Sequence, residues 1–109
     1  MEVKILRKIT LGFIYLHVLH HANEQEIFGR WMIDELQSHG YEVGPSTVYP
    51  LLKEMIQNGL LTMREEIVEG KIRKYYRITP VGNELLIKAK QRVNALISEV
   101  GGQPDAILQ

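Results

Sequence analysis

Residues Leu60–Thr79 read LLTMREEIVEGKIRKYYRIT, and the way this stretch pairs with itself decides the fold. Glu69-Gly70 is a dipeptide suited to a two-residue hairpin turn. Counting outward from it sets Ile67 against Ile72, Glu65 against Lys74, Met63 against Tyr76 and Leu61 against Ile78. Glu66 then faces Arg73 on the opposite side. Apolar meets apolar and acid meets base, so a single register suits every pair. In that register Arg73, Tyr75 and Arg77 share one strand face, while Tyr76 and Ile78 point to the core.

Upstream the period is helical. Ile5, Ile9, Phe13, Leu16 and Leu19/His20 predict a buried helix over Lys4–His21, followed by a polar connector, Asn23–Glu26. Ile27, Trp31, Met32 and Leu36 give a second helix closed by Gly40, and Gly29 near its start leaves room for another helix to come close. Tyr41-Glu42-Val43 reads as extended, and Gly44-Pro45 turns the chain into a third helix. There Val48, Leu51, Leu52, Met55 and Ile56 fall at i, i+3, i+4, i+7 and i+8. With Thr47 as cap, Pro50 occupies the third helical position, and Asn58-Gly59 ends the helix. Downstream of the hairpin, Thr79 caps a last helix with Pro80 at its first position. It runs to about Val100, where Gly101-Gly102 stops it.

The order is three helices, a hairpin and a long helix: mainly α with a β-hairpin, an α+β class. This is the winged helix-turn-helix arrangement, with helix three as reading helix and the hairpin as wing. The expected organisation is a winged helix-turn-helix domain over residues 1–79, a dimerisation helix over 80–100 and a flexible tail over 101–109.

Composition narrows the classes. A chain of 109 residues makes one domain, near the size where dimerisation adds useful stability. Thirteen basic residues balance thirteen acidic ones, so nucleic acid would have to be recruited by local clusters rather than bulk charge. Cysteine is absent, which excludes disulfides and thiolate metal sites and suits a reducing cytoplasm. The opening MEVKILRKITLGFIYLHVLHH mimics a signal peptide, but it lacks a small-residue cleavage site and its apolar run is too short to span a bilayer. A cytoplasmic protein with no membrane partner is expected. Neither a phosphate loop, a dinucleotide glycine pattern, HExxH nor Gly-x-Ser-x-Gly occurs, so no enzyme is expected.

Helix three leaves Ser46, Tyr49, Pro50, Lys53 and Gln57 outside its apolar arc. The hydroxyls of Ser46 and Thr47, with free amides at a helix N-terminus, suit phosphate oxygens. Tyr49 can reach a phosphate or a base edge, and Lys53 adds a charge. The wing supplies Lys71, Arg73, Lys74 and Arg77. Together these residues can grip a DNA duplex from two sides. The plainer alternative is a helix cap beside a solvated, salt-bridged hairpin. The competing function is a winged-helix protein–protein module without sequence-specific DNA binding, its hairpin meeting acidic protein surface.

STVYPLLKEMIQNGLL followed by GKIRKYYRITPVGNELL closely resembles the PadR-type transcriptional regulators, and EIFGRWMIDELQSHGY resembles their second helix. The likeness covers about residues 5–100. It implies a cytoplasmic, homodimeric DNA-binding regulator of the short subgroup, usually a repressor, with Tyr49 at the position of a DNA-contacting tyrosine. The DNA partner implied is a pseudo-palindromic double-stranded operator.

In the last helix Gly82, Ala89 and Leu96 repeat at seven, as do Leu86, Val93 and Val100, with Leu85 and Ile97 flanking. A second copy of the chain is the expected cover for Leu85, Leu86, Ala89, Val93, Leu96 and Val100; packing against helix one is the alternative, and both can hold. No cofactor is required. Two effector sources are open: a small apolar molecule near Leu86, Val93 and Leu96, or a divalent metal such as zinc or cadmium at His17, His20 and His21. The histidines stand at i, i+3 and i+4, where His39 or Glu24 could complete a shell. Equally, His20 and His21 suit the last turn of a helix as plain polar residues.

Overall fold

The computed structural model describes residues 2–101. The chain runs α1 (Glu2–Glu24), β1 (Ile27–Phe28), α2 (Gly29–Ser38), α3 (Pro45–Gln57), β2 (Leu61–Val68), β3 (Lys71–Ile78) and α4 (Pro80–Gly101). Of the expected tail, Gly101 is the last residue of α4 and residues 102–109 lie outside the described residues. No helix among the described residues is long and apolar enough to cross a membrane.

The hairpin has the register that its sequence demands. Leu61 pairs with Ile78, Met63 with Tyr76, Glu65 with Lys74, Glu66 with Arg73 and Ile67 with Ile72. Glu69 and Gly70 both take positive φ, 53° and 76°. That is the signature of the turn whose twist matches its strands.

The sheet has a third strand that the periodicity does not reveal. Ile27 pairs with Tyr76 and Phe28 with Tyr75, giving the antiparallel order β1-β3-β2. Ile27 therefore belongs to the sheet and not to the second helix, which begins at Gly29. The polar connector shrinks correspondingly, because α1 continues to Glu24.

α3 also starts earlier than expected. Gly44, not Thr47, is its cap: the Gly44 carbonyl accepts from the amides of Thr47 and Val48, each at 3.1 Å. Pro45 takes the first helical position, where its fixed φ and missing N–H cost nothing. Pro50 consequently lies inside the helix, which forgoes one backbone bond to the Ser46 carbonyl.

Two helices end in the same way. After α2, Gly40 (φ +90°) donates to Gln37 and Tyr41 donates to Leu36; after α3, Gly59 (φ +76°) donates to Ile56 and Leu60 to Met55. Both are Schellman closures, which need a left-handed residue that glycine supplies without strain. At the start of α4 the Thr79 hydroxyl accepts from the Gly82 amide at 3.0 Å and donates to the Gly59 carbonyl. One side chain thus caps α4 and ties it to the exit of α3. A Cβ on Gly82 would strike the Leu60 carbonyl, which fixes how closely α4 approaches that exit.

One core joins all the elements: Ile14, Val18, Leu19 and Ala22 of α1, Ile27, Met32, Ile33 and Leu36, Val48, Leu51, Leu52 and Met55 of α3, Leu61, Tyr76 and Leu86. Of the expected α1 stripe only Leu19 enters this core, with Leu16 packed against its edge. Ile5, Ile9 and Phe13 remain exposed on the other side of the helix.

Candidate nucleic-acid interface

The outer face of α3 is built by the cap at Gly44. Starting the helix there turns Ser46, Tyr49, Pro50, Lys53 and Gln57 outward, all exposed, with Thr47 half-buried. Tyr49 is held in place from behind. Its ring lies against the backbone of Gly29 at the start of α2, so close that a Cβ on Gly29 would be 2.5 Å from Cε1 and 2.9 Å from the hydroxyl oxygen. The glycine noted in the sequence thus admits a side chain of the neighbouring helix, and Tyr49 stays 40% exposed.

Two grooves meet at Tyr49. One runs between α3 and the wing, with Tyr49, Pro50, Lys53 and Gln57 on one wall and Met63, Lys74 and Tyr76 on the other. The second opens between Tyr49, the α2 start (Phe28, Gly29, Arg30) and the free edge of β3 from Lys71 to Lys74. β1 is only two residues long, so it leaves that part of β3 unpaired on its outer edge.

The wing's basic residues do not act as a single patch. By the alternation of β3, Lys74 stands on the side of Tyr76 and α3, whereas Lys71, Arg73 and Arg77 stand on the other. Part of that other side is occupied. The Arg73 guanidinium lies 4.6 Å above the Phe28 ring, Arg64 lies 4.4 Å above the Tyr75 ring, and Phe28 and Tyr75 meet edge to face. Arg64 also donates to both Glu26 oxygens, at 2.8 and 2.6 Å, and to Glu66 at 3.1 Å. Hydrogen bonds from Arg64 hold the Glu26 carboxyl below its ordinary pKa. Among the described residues Lys53, Lys71, Arg73, Lys74 and Arg77 make no ion pair. Acid–base pairing on the wing is therefore made by Arg64, and among the described residues the β3 cations have no acidic partner. Glu65, opposite Lys74, is the acid that reduces the charge of the groove. Phe28 and Arg64 were not singled out by the sequence; the Arg64–Tyr75 pairing was implicit in the hairpin register.

α4 divides its expected seam. Leu86 is buried in the chain's own core, 2% exposed, together with Gly82. Leu86 is therefore removed from the set available to a second copy. Leu85, Leu96 and Val100 are exposed, and Ala89 and Val93 are half-covered. Leu85, Ala89 and Val93 line an apolar groove along α1 with Ile9, Phe13 and Leu16.

The four histidines converge on one corner, opened by the end of α1 and closed by the cap of α2. His17 Nε2 and the Tyr41 hydroxyl share a hydrogen bond of 3.1 Å, and the His17 and His39 ring centres are 5.0 Å apart. His20 and His21 stand 5.0 Å apart, and His21 packs edge-on against Trp31. Burial first, then the nearby imidazoles His39, His21 and His20, push His17 below its ordinary pKa, with Glu35 opposing. Burial likewise lowers His21, then His20 and His39, while Glu35 and Glu24 oppose. Lys90 of α4 lines the same groove as His17 and adds positive charge. A histidine pKa lower in the folded than in the unfolded chain means that the unfolded chain takes up protons first. Stability should therefore fall as pH drops below about 6.5, the unfolded value, and level off below the folded one. Thermal unfolding midpoints at neutral and mildly acidic pH should show this loss, and His17→Phe should reduce it; an acid dependence unchanged in that variant would contradict the assignment.

A helix-turn-helix with a hairpin wing, a reading helix exposed beside it and a long helix at the end defines a winged-helix regulator. The match to known proteins makes the class specific: residues 18–88 fit the Transcriptional regulator PadR-like family, and the chain belongs to it. This is a family of transcriptional regulators, not of enzymes. The chain is 39% identical over 99 residues to Transcriptional regulator Rv3488 of Mycobacterium tuberculosis, covering 90% of this chain and 92% of that protein. Among solved structures it is similar to a PadR family transcriptional regulator from Eggerthella lenta, at 27% identity and a TM-score of 0.78, covering 92% of this chain and 88% of that one. A PadR-like regulator from Bacillus cereus gives 28% identity and a TM-score of 0.78, covering 87% and 94%.

Proposed function

We propose that the protein is a homodimeric DNA-binding repressor that recognises a pseudo-palindromic operator. One observation carries the DNA reading: Lys74 on the wing and Tyr49, Lys53 and Gln57 on α3 line the two walls of one groove. Duplex backbone lying along that groove would meet cations from the wing and hydroxyl and amide donors from the start of α3. Ser46, Thr47, Tyr49 and Lys53 form the reading side of the interface, Lys71 and Lys74 the groove edge, and Arg73 and Arg77 its outer flank.

The dimer reading rests on the apolar face shared by α1 and α4. Ile5, Ile9, Phe13, Leu85, Leu96 and Val100 of these two helices are exposed in a single chain, and large exposed apolar side chains grouped together mark interaction surfaces. A second copy placed there would set two α3 helices for half-sites about 34 Å apart, one turn of DNA. An effector, either a small apolar molecule at this face or a divalent metal at the histidine corner, would change the angle between subunits and release the operator. A differential affinity of roughly 1–3 kcal/mol for the two arrangements suffices for a 5–150-fold change in DNA affinity.

The division between the two sides of the wing can be tested by substitution. Lys74→Ala should weaken specific and non-specific DNA alike and reduce the salt slope by about one. Arg73→Ala should do less, because its guanidinium is engaged with Phe28. Tyr49→Phe should weaken the operator and leave non-specific DNA and folding unchanged. Mobility shifts over a salt series separate these effects. Equal affinity in all three variants would place the DNA on another face.

A further inference from the structure

Glu24 and the last turns of α1 carry a feature that DNA binding does not use. His20 Nε2 lies 3.4 Å and His21 Nδ1 3.6 Å from the same oxygen, Glu24 Oε1. The three donor atoms all fall within 4.8 Å of one another. In a tetrahedral shell with metal–ligand bonds of about 2.0–2.1 Å, neighbouring ligands are separated by roughly 3.3–3.5 Å. Two of the three separations are therefore near that length already. The third can close by rotating the exposed His20 side chain.

On its far side His21 has a carboxylate within ion-pair distance, though beyond hydrogen-bond length. Its Nε2 faces Glu35 Oε1 at 3.7 Å, and that oxygen is held by His39 Nε2 at 3.1 Å. A carboxylate on the remote nitrogen is the usual device that fixes the tautomer and aim of a metal-bound imidazole. Here it comes from α2, so the arrangement exists only in the folded chain. His17, by contrast, is turned toward Tyr41.

We propose that His20, His21 and Glu24 bind one divalent ion of the zinc class, with Glu35 as the residue that positions His21. Two imidazoles and one carboxylate, without thiolate, suit a borderline cation better than soft copper(I) or hard magnesium and calcium. The Glu24 and His20 side chains are 58% and 45% exposed, so an ion can enter without opening the fold and water can fill the fourth position.

The test uses the full chain without an affinity tag, stripped with a chelator and titrated calorimetrically with zinc, with cobalt(II) absorption as a probe of coordination. Wild type should bind one equivalent per chain at micromolar concentration or below, and cobalt should give the intense visible bands of a four-coordinate site. His20→Ala/His21→Ala should abolish binding. Glu35→Gln should retain the stoichiometry and lose about 10–100-fold in affinity. Each of these readouts is independent of DNA, so failure here leaves the operator reading intact, and failure there leaves this site intact. The proposal is overturned by the absence of saturable binding below millimolar zinc, by equal binding in the double variant, or by a weak six-coordinate cobalt spectrum.

Discussion

A chain carrying Leu85→Glu and Leu96→Glu should migrate as a folded monomer and bind operator DNA about 100- to 10,000-fold more weakly than the parent. The magnitude follows from linkage. Two reading helices joined through α4 make the second half-site an intramolecular event, and losing that connection commonly costs this range of avidity. Both leucines are exposed in the single chain, at 42% and 53%, so glutamate there removes no contact of the chain's own core. Leu86→Ala is the informative contrast. That side chain is 2% exposed, and truncating it should destabilise the fold by about 2–5 kcal/mol. Sedimentation, circular dichroism and mobility shift on the same samples distinguish the two outcomes. A dimer persisting in the double glutamate variant would show that α4 is not the seam.

The second large effect is expected at Gly29. Gly29→Ala places a methyl group where the Tyr49 ring lies, 2.5 Å from Cε1. Tyr49 is half-exposed and can swing outward, so the displaced group is the far end of a side chain and not the backbone. Folding should change by less than about 1 kcal/mol, because the alanine also favours the first turn of α2. Operator affinity should nevertheless fall about 10–100-fold, since the tyrosine then leaves the ridge between the two grooves. This is the reverse of what a buried glycine generally reports. Measured side by side, unfolding free energy and operator affinity should separate. If Gly29→Ala loses stability and affinity in proportion, the glycine serves packing alone.

Much of this architecture was legible in the residues. The hairpin register followed from charge and hydropathy pairing around Glu69-Gly70, and the observed pairs are the ones that pairing requires. Helix ends at Gly40 and Gly59, and the Thr79-Pro80 start of α4, were equally local. What the sequence did not show depends on distant partners. β1 is two residues whose strand character comes from Tyr75 and Tyr76, nearly fifty positions away, and Ile27 also fits a helical stripe. The α3 start was misplaced because two capping signals compete there, and Pro45 at the first position outweighs Thr47 as cap. The α1 stripe was misjudged at Ile5, Ile9 and Phe13, since the helix is apolar on two sides and the chain's own core takes only one.

At the interface, residue type and strand face were legible, and the contacts across elements were not. The hairpin register already set Arg73 and Arg77 on the face opposite Tyr76, but not that Phe28 engages Arg73 or that Lys74 shares a groove with α3. The histidine spacing pointed to His17, His20 and His21. Folding sets His20 and His21 beside Glu24, which the spacing had offered as a completing ligand, turns His17 to Tyr41 and brings Glu35 near from another helix.

The central claim is that α3 and the wing bind a DNA operator, and selection from a random duplex pool followed by a salt-series titration tests it most directly. With effectors and metals removed, the parent chain should enrich a two-fold symmetric site and bind it at nanomolar concentration in low salt, two chains per duplex. Its log affinity should fall steeply with log salt, by about 0.9 for each phosphate contact released. Enrichment of no sequence, or an affinity indifferent to salt, would contradict the account and favour a protein partner for the same groove.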